Sequence, residues 1–131
     1  MTAEGLKVSR SRHGLQETLD RLEVAVARYG LTIIARIDHG AAAEKVGLAL
    51  RPTVVVIFGN PRGGTPLMQA QPTIAIDLPL KAVVWQDEAG TTWLGYNDPV
   101  WILRRHGVAD DGSIDPMIEA LAAIANEATA T

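Results

Sequence analysis

Apolar positions recur at two different spacings along the chain, and each spacing predicts an element. A stripe at steps of three and four predicts an amphipathic helix that Gly30 ends: Leu15, Leu19, Leu22, Val26 and Tyr29. Leu6 and Val8 alternate with polar neighbours, which predicts a short strand before this helix. The β-branched run 32–37 predicts a second strand, and residues 41–48 predict a short helix.

Proline and a continuous apolar run organise the middle of the chain. Residues 54–58 are apolar at every position, which predicts a central strand covered on both faces. Thr65-Pro66, Asp98-Pro99 and Asp115-Pro116 each place an N-cap side chain before a proline at the first helical position. Helices are therefore predicted to begin at about residues 66, 99 and 116, and Gly107 suits the end of the second of them.

A hairpin is predicted from residues 80–86 and 92–96, joined by a three-residue loop whose glycine, Gly90, takes the left-handed conformation. This register pairs Trp85 with Trp93 and leaves apolar side chains on both faces. Because so small a domain rarely covers both faces with its own helices, part of one face is a candidate dimer interface. The last helix has a predicted buried stripe: Ile118, Leu121, Ala122 and Ala125.

Composition narrows the class of protein. The 131 residues predict a single domain over 1–131, with its core at about 5–126, and 47% hydrophobic residues are enough for one core. A net charge of −3 argues against nucleic-acid binding. The absence of cysteine and the wide separation of the three histidines favour a fold with no metal and no cofactor. With no signal peptide and no apolar run long enough for a membrane span, the chain is expected to be soluble and cytoplasmic.

Five short motifs occur in a characteristic order: Ile37-Asp38-His39, Phe58-Gly59-Asn60-Pro61, Leu67-Met68, Asp77-Leu78-Pro79-Leu80-Lys81 and Tyr96-Asn97-Asp98-Pro99. In this order and spacing the chain resembles the domain of unknown function 302 (DUF 302) family from about residue 5 to about residue 125. The resemblance implies an α+β fold of βα(β)₄α-like layout, a compact single-layer mixed or antiparallel sheet packed by helices, and a dimer. It implies no reaction, because the activity of that family is unassigned.

Asp38 and His39 have two interpretations. As an acid–base dyad they would act together, but adjacent residues of a strand point to opposite faces, so the strand would have to end before them. Alternatively, Asp38 caps the helix that follows and His39 is a turn residue that makes a structural hydrogen bond. Both interpretations stay open at this point.

The segment Gly59-Asn60-Pro61-Arg62-Gly63-Gly64-Thr65 follows the most apolar strand and leads into a helix. Free N–H groups at Gly63, Gly64 and Thr65, with the charge of Arg62, would suit an anion. The alternative is a tight loop that needs the conformational freedom of glycine. Because the lysine of a phosphate-binding P-loop is missing, the segment is not a nucleotide-binding motif of that kind.

Two further polar residues stand among apolar ones. Asp77 interrupts the apolar stretch 73–80. Either backbone N–H groups satisfy its carboxylate, or the side chain lies in a cleft. Tyr96 is either a core ring with a solvated hydroxyl or a catalytic acid, and Asp98 is most simply an N-cap.

Three functions are consistent with these residues. The first is a homodimeric module that binds a small molecule, with an anion as one candidate, through Asp38, His39, Asn60, Arg62, Gly63, Asp77 and Tyr96. The second is an enzyme acting on a small anionic substrate with His39 and Asp77 as acid–base groups. The third is a structural or partner-binding domain without a ligand. Convergence of these side chains on one pocket would favour the first two, and dispersal into separate caps would favour the third.

Overall fold

Residues 3–130, which the structure (a computed structural model) describes, form five strands in one antiparallel sheet. The strands lie in the order β1-β5-β4-β3-β2, and each neighbouring pair is antiparallel. Their bounds are β1 (Leu6–Arg10), β2 (Thr32–Asp38), β3 (Thr53–Gly59), β4 (Leu80–Gln86) and β5 (Thr92–Asn97). The predicted α+β fold with a single-layer sheet is confirmed, and the sheet is wholly antiparallel rather than mixed.

Helices lie in every connection between the strands except the β4–β5 hairpin, and two more follow the last strand. They are α1 (Leu15–Arg28), α2 (His39–Lys45), α3 (Pro61–Ala70), a 3₁₀ helix (Pro72–Asp77), α4 (Pro99–Arg105) and α5 (Asp115–Thr129). The predicted start of α4 is confirmed, because Oδ1 of Asp98 accepts a hydrogen bond from the Val100 N–H at 3.0 Å. Helix α5 begins one residue earlier than predicted, so Asp115 is its first residue rather than its cap.

The predicted start of α3 is wrong. The helix begins at Pro61, five residues before the expected position, and Pro66 lies inside it. Oδ1 of Asn60 accepts a hydrogen bond from the Arg62 N–H at 2.9 Å. Asn60-Pro61 is therefore the same signal as Thr65-Pro66, a capping side chain before a proline, and it comes first along the chain.

The core lies between one face of the sheet and the two long helices, α1 and α5. Strand β3 contributes Val54, Val56 and Phe58 to this core, whereas its alternate residues Val55 and Ile57 are half-buried. The prediction that β3 is covered on both faces is therefore wrong, since the apolar run has a helix-covered side and an open side. Other large buried side chains of this core are Leu19, Leu22, Val26, Val84, Leu94, Leu121 and Ile124.

Two details of the helix stripes differ from the sequence pattern. Tyr29, assigned to the buried stripe of α1, is 42% exposed because it follows the last turn of the helix. On α5 Leu121 and Ala125 are buried as predicted, whereas Ala122 is exposed. The stripe of α5 continues instead through Ile124 and Ala128, as the helical period requires.

The predicted hairpin is confirmed. Trp85 pairs with Trp93 in the β4–β5 ladder, and the N–H of Asp87 donates to the Thr91 carbonyl at 2.9 Å. Gly90 has a φ of +82°, the left-handed conformation that the loop requires.

The structure leads to a first prediction about the core. Val56→Ala should lower the free energy of unfolding by about 2 kcal/mol, because it removes two methyl groups from a fully buried position. Val24→Ala is the matched control: Val24 lies on the outer side of α1 and is 59% exposed, so its loss should be within about 0.5 kcal/mol. Urea unfolding measures both, and equal losses would contradict this position of the core.

Candidate functional site

An apolar cavity of about 430 Å³ lies at the β3–α3 junction. It lies where β3 ends and α3 begins, and residues after α1, before β4 and in the first turns of α5 complete its wall. Its apolar lining includes Leu31, Met68, Leu78, Pro79, Met117 and Ala120. Small-molecule sites are typically concave, mostly apolar recesses of about 300–1,000 Å³ with a few polar groups, and this cavity has that size and character.

The polar groups of the cavity are few and uncharged. Asn60, Thr65 and Tyr29 supply an amide and two hydroxyls, and among residues 3–130 no Asp, Glu, Lys, Arg or His lines the wall. A side-chain hydrogen bond with Glu127, together with some desolvation, raises the pKa of Tyr29, so its hydroxyl is neutral at physiological pH. Since a buried charge needs a partner, the wall suits an uncharged molecule better than an ion.

The N–H groups proposed for an anion site are already used within α3. The Arg62 N–H donates to Oδ1 of Asn60, and the N–H groups of Gly63 and Gly64 donate to the Asn60 carbonyl at 3.0 and 3.2 Å. The expectation of free amides at Gly63 and Gly64 is therefore wrong, because the helix starts at Pro61 and encloses them in its first turns. Gly63 lines the cavity, whereas Arg62 is exposed and lies outside the lining.

Asp38 and His39 lie at the opposite end of the sheet from the cavity. Asp38 pairs with Val54 near the start of β3, whereas Asn60 follows the end of that strand. Six residues of extended chain place these two ends about 20 Å apart. Oδ1 of Asp38 accepts a hydrogen bond from the Ala41 N–H at 2.9 Å, so Asp38 caps α2, and His39 is an exposed first residue of that helix.

Asp77 is held by α4 rather than placed in the cavity. One of its oxygens, Oδ2, lies 2.6 Å from Nε2 of His106, and NH1 of Arg105 donates to both carboxylate oxygens at 2.9 and 2.8 Å. Nδ1 of His106 lies 2.9 Å from Oγ1 of Thr73. We call Asp77, Arg105, His106 and Thr73 the carboxylate clamp; it joins the 3₁₀ helix to the end of α4.

The Asp77–His106 pair of the clamp is largely shielded from water, whereas the side chain of Arg105 is half exposed. The side chains of Asp77 and His106 are 12% and 8% exposed. Burial alone would raise the pKa of Asp77, but hydrogen bonds from His106 and Arg105, with their charges, outweigh it and hold that pKa below its ordinary value. Because both nitrogens of His106 are already engaged, the clamp has the character of a structural link.

Tyr96 belongs to the core. Its side chain is 8% exposed on the helix-covered face, and burial, with the nearby charge of Asp98, raises its pKa. The structure therefore places Asn60 and Gly63 at one cavity, Asp77 in the clamp and Asp38 and His39 at the far end of the sheet. The ligand-binding role of these residues stays a prediction, and the single cleft through which they were expected to act together is not formed.

Two features escaped the sequence interpretation. One is the pairing of Asp77 with His106, which joins residues 29 positions apart and has no local pattern. The other is the cavity, whose wall comes from four separate segments of the sequence, 29–34, 59–68, 78–80 and 116–120. The sequence did hold one signal for it: two adjacent glycines, Gly63 and Gly64, lie between two prolines at the start of a helix.

Comparison with known protein families gives the identity of the fold. A family model described as "Domain of unknown function DUF302" matches residues 7–128. The chain belongs to the DUF302 family. A solved structure described as an uncharacterized conserved DUF302 protein from Bacillus stearothermophilus superposes with a TM-score of 0.83 and 22% identity, and covers 96% of this chain and 99% of that one. At this identity the structural likeness shows the fold alone.

Longer relatives contain a similar segment. This DUF302 chain is 44% identical over 116 residues to proteins named fluoride-specific ion channel FluC 1 from Brucella suis and Brucella abortus. The alignment covers 87% of this chain and 46% and 43% of those proteins, so the chain spans about half the length of the curated relatives it matches. None of the helices within residues 3–130 is long and apolar enough to cross a membrane. The channel name therefore describes those longer proteins.

Residues 3–130 contain no group of three or more His, Cys, Asp or Glu side chains placed to hold a metal ion. The clamp brings one histidine to one carboxylate, and the remaining positions around that carboxylate are occupied by Arg105. The cavity is therefore the feature on which a function is best built.

Proposed function

We propose that this DUF302 domain binds a small, uncharged, mostly apolar molecule in the cavity beside the start of α3. The observation that carries the proposal is the cavity itself: about 430 Å³, a mostly apolar wall, and polar groups confined to Asn60, Thr65 and Tyr29. The amide NH₂ of Asn60 and the hydroxyl of Thr65 can hydrogen-bond to a polar group of a ligand, while Met68 and Met117 contact its apolar body. An anion is a less suitable ligand, because the N–H groups of Arg62, Gly63 and Gly64 already donate hydrogen bonds to Asn60.

Thermal unfolding with matched compounds tests the proposal. Benzyl alcohol and benzoate have the same ring, but only benzoate is charged at pH 7. Benzyl alcohol should raise the Tm in a concentration-dependent manner, because a ligand that binds only the folded state stabilises it. Benzoate should raise it far less, because the wall offers no cation to its carboxylate. Equal stabilisation by both compounds would contradict an uncharged site.

A cavity-filling variant locates the effect. Ala120→Phe puts a ring into the cavity from α5 and should abolish the Tm shift caused by benzyl alcohol. Ala122→Phe is the matched control, because Ala122 lies on the exposed side of the same helix. If Ala120→Phe and the control respond alike to benzyl alcohol, the compound binds elsewhere and the proposed site is wrong.

The second part of the proposal is a homodimer. The sheet face away from α1 and α5 is open, because no helix within the described residues packs across it. Four strands place half-buried apolar side chains on this face: Leu6, Val8, Val55, Ile57, Val83, Trp85 and Trp93. After α2, Val46, Leu48 and Leu50 form an arm with exposures of 71%, 66% and 51%. An apolar face of this extent typically marks an interface. The occupant we propose is a second copy, in which each arm packs on the open sheet face of the other chain, as a two-fold interface requires.

A further inference from the structure

Gly63 and Gly64 are the third and fourth residues of α3, a part of the helix that lines the cavity. Neither has a positive φ, so alanine could adopt the same backbone conformation. Glycine inside a helix is less stable than alanine because it loses more conformational freedom on folding. Two adjacent glycines at this position therefore call for a reason other than the backbone.

The surrounding protein does not require these glycines either. A Cβ at Gly63 would lie 3.6 Å from Cε of Met117, and a Cβ at Gly64 would lie 3.6 Å from Cδ1 of Leu78. These are ordinary van der Waals distances. Gly5 is a contrast, because a Cβ there would lie 2.3 Å from the Trp101 ring. An added Cβ would therefore fit beside these side chains, and because both glycines line the cavity it would take up part of the space there.

We propose that Gly63 and Gly64 form a bare backbone wall against which the ring of an uncharged aromatic ligand packs. This inference rests on the proposed function and adds the class of ligand and the residues that select it. The absence of both side chains exposes flat peptide groups, which match a planar ring better than a thicker saturated one. The thioethers of Met68 and Met117 flank this wall, and methionine sulfur makes favourable contacts with aromatic rings.

The test compares two compounds and three variants by titration of backbone amide resonances. Benzyl alcohol and cyclohexylmethanol are both uncharged and have the same number of heavy atoms, but only the first has a planar ring. The wild-type chain should bind benzyl alcohol several-fold more tightly. Gly63→Ala and Gly64→Ala should each weaken this binding about tenfold, the usual effect of one added methyl group in a closely fitting apolar pocket.

Gly40→Ala is the matched control. Gly40 also lies in the first turn of a helix, α2, but at the far end of the sheet, and a Cβ there would have no contact closer than 3.4 Å. Its variant should bind benzyl alcohol like the wild type. All three variants should melt at or above the wild-type Tm, because Gly→Ala reduces the freedom of the unfolded chain; weaker binding then reflects the wall and not loss of fold.

The failures are distinguishable. Unchanged binding in Gly63→Ala and Gly64→Ala, or equal affinity of the wild type for both compounds, overturns the aromatic wall and leaves the small-molecule proposal standing. If neither compound binds the wild type at millimolar concentration, the small-molecule proposal fails and the wall fails with it.

Discussion

Asp77→Asn should lower the free energy of unfolding at pH 7 by about 2 kcal/mol. The variant removes a charge that the nearly buried His106 and the half-exposed Arg105 hold at 2.6–2.9 Å. Hydrogen bonds to charged groups are each worth about 1.5–3 kcal/mol, and a partner left unsatisfied in a shielded position adds to the loss. Urea unfolding at pH 7 measures the difference.

The pH dependence of this difference has a definite sign. The pKa of Asp77 is lower in the folded chain than its ordinary value of 3.8. The clamp therefore contributes its full stability above that ordinary value and loses it as pH falls through the lower, folded value. The difference between the wild type and Asp77→Asn should narrow as the pH falls below about 4.

Asp20→Asn is the matched control for the clamp. Asp20 is exposed on α1, where it accepts one hydrogen bond from Gln16 at 2.9 Å, so its replacement should change the free energy of unfolding by less than about 0.5 kcal/mol. Losses of the same size in both variants would mean that the clamp contributes no more than an exposed helix contact. A difference that widens below pH 4 would reverse the sign expected for Asp77.

Leu48→Asp should convert the protein from a dimer to a monomer. The wild type is expected to sediment at twice the chain mass of 14.0 kDa, and the variant at 14.0 kDa itself. Leu48 is 66% exposed in the single chain, so a charge there is harmless to the fold but is buried and unpaired if the arm packs on a second copy. Sedimentation velocity at micromolar concentration distinguishes the two masses.

The control for this charge is Val24→Asp. Val24 is 59% exposed on α1, away from the arm and from the open sheet face, and its variant should remain a dimer. A wild type that sediments near 14.0 kDa would refute the dimer. If the Leu48→Asp variant remained a dimer, the arm would not be part of the interface.

Local signals explain why most elements could be predicted. These elements are the α1 stripe, the Gly30 and Gly107 ends, the hairpin loop and the Asp98 cap. Each depends on residues within a few positions of one another, and the structure has all of them, except that Tyr29 of the α1 stripe is exposed. The start of α3 was predicted wrongly because two equivalent cap–proline signals stand five residues apart. Neither signal is stronger than the other within its own few residues. The helix start depends instead on packing against Leu78 and Met117, which are distant in the sequence.

The site was less predictable for the same reason. Asp38, Asn60 and Asp98 are polar residues of the five motifs, and each accepts a hydrogen bond from the first turn of a helix. The same residue types cap helices and bind ligands, so the sequence alone does not distinguish the two roles, whereas the three-dimensional surroundings do. The cavity, in contrast, is made by apolar residues such as Met68 and Met117, which look like ordinary core positions until the chain is folded.

Methyl NMR of the methionines tests the small-molecule site most directly. The chain has three methionines: Met68 and Met117 line the cavity, and Met1 lies outside the described residues. In a chain labelled with ¹³C-methyl methionine, benzyl alcohol should shift the Met68 and Met117 signals together with one dissociation constant. Both methyl groups should also show nuclear Overhauser contacts to the ring protons of the compound. Saturating benzyl alcohol with no shift and no contact at either methyl group would contradict the binding of an uncharged apolar molecule in this cavity.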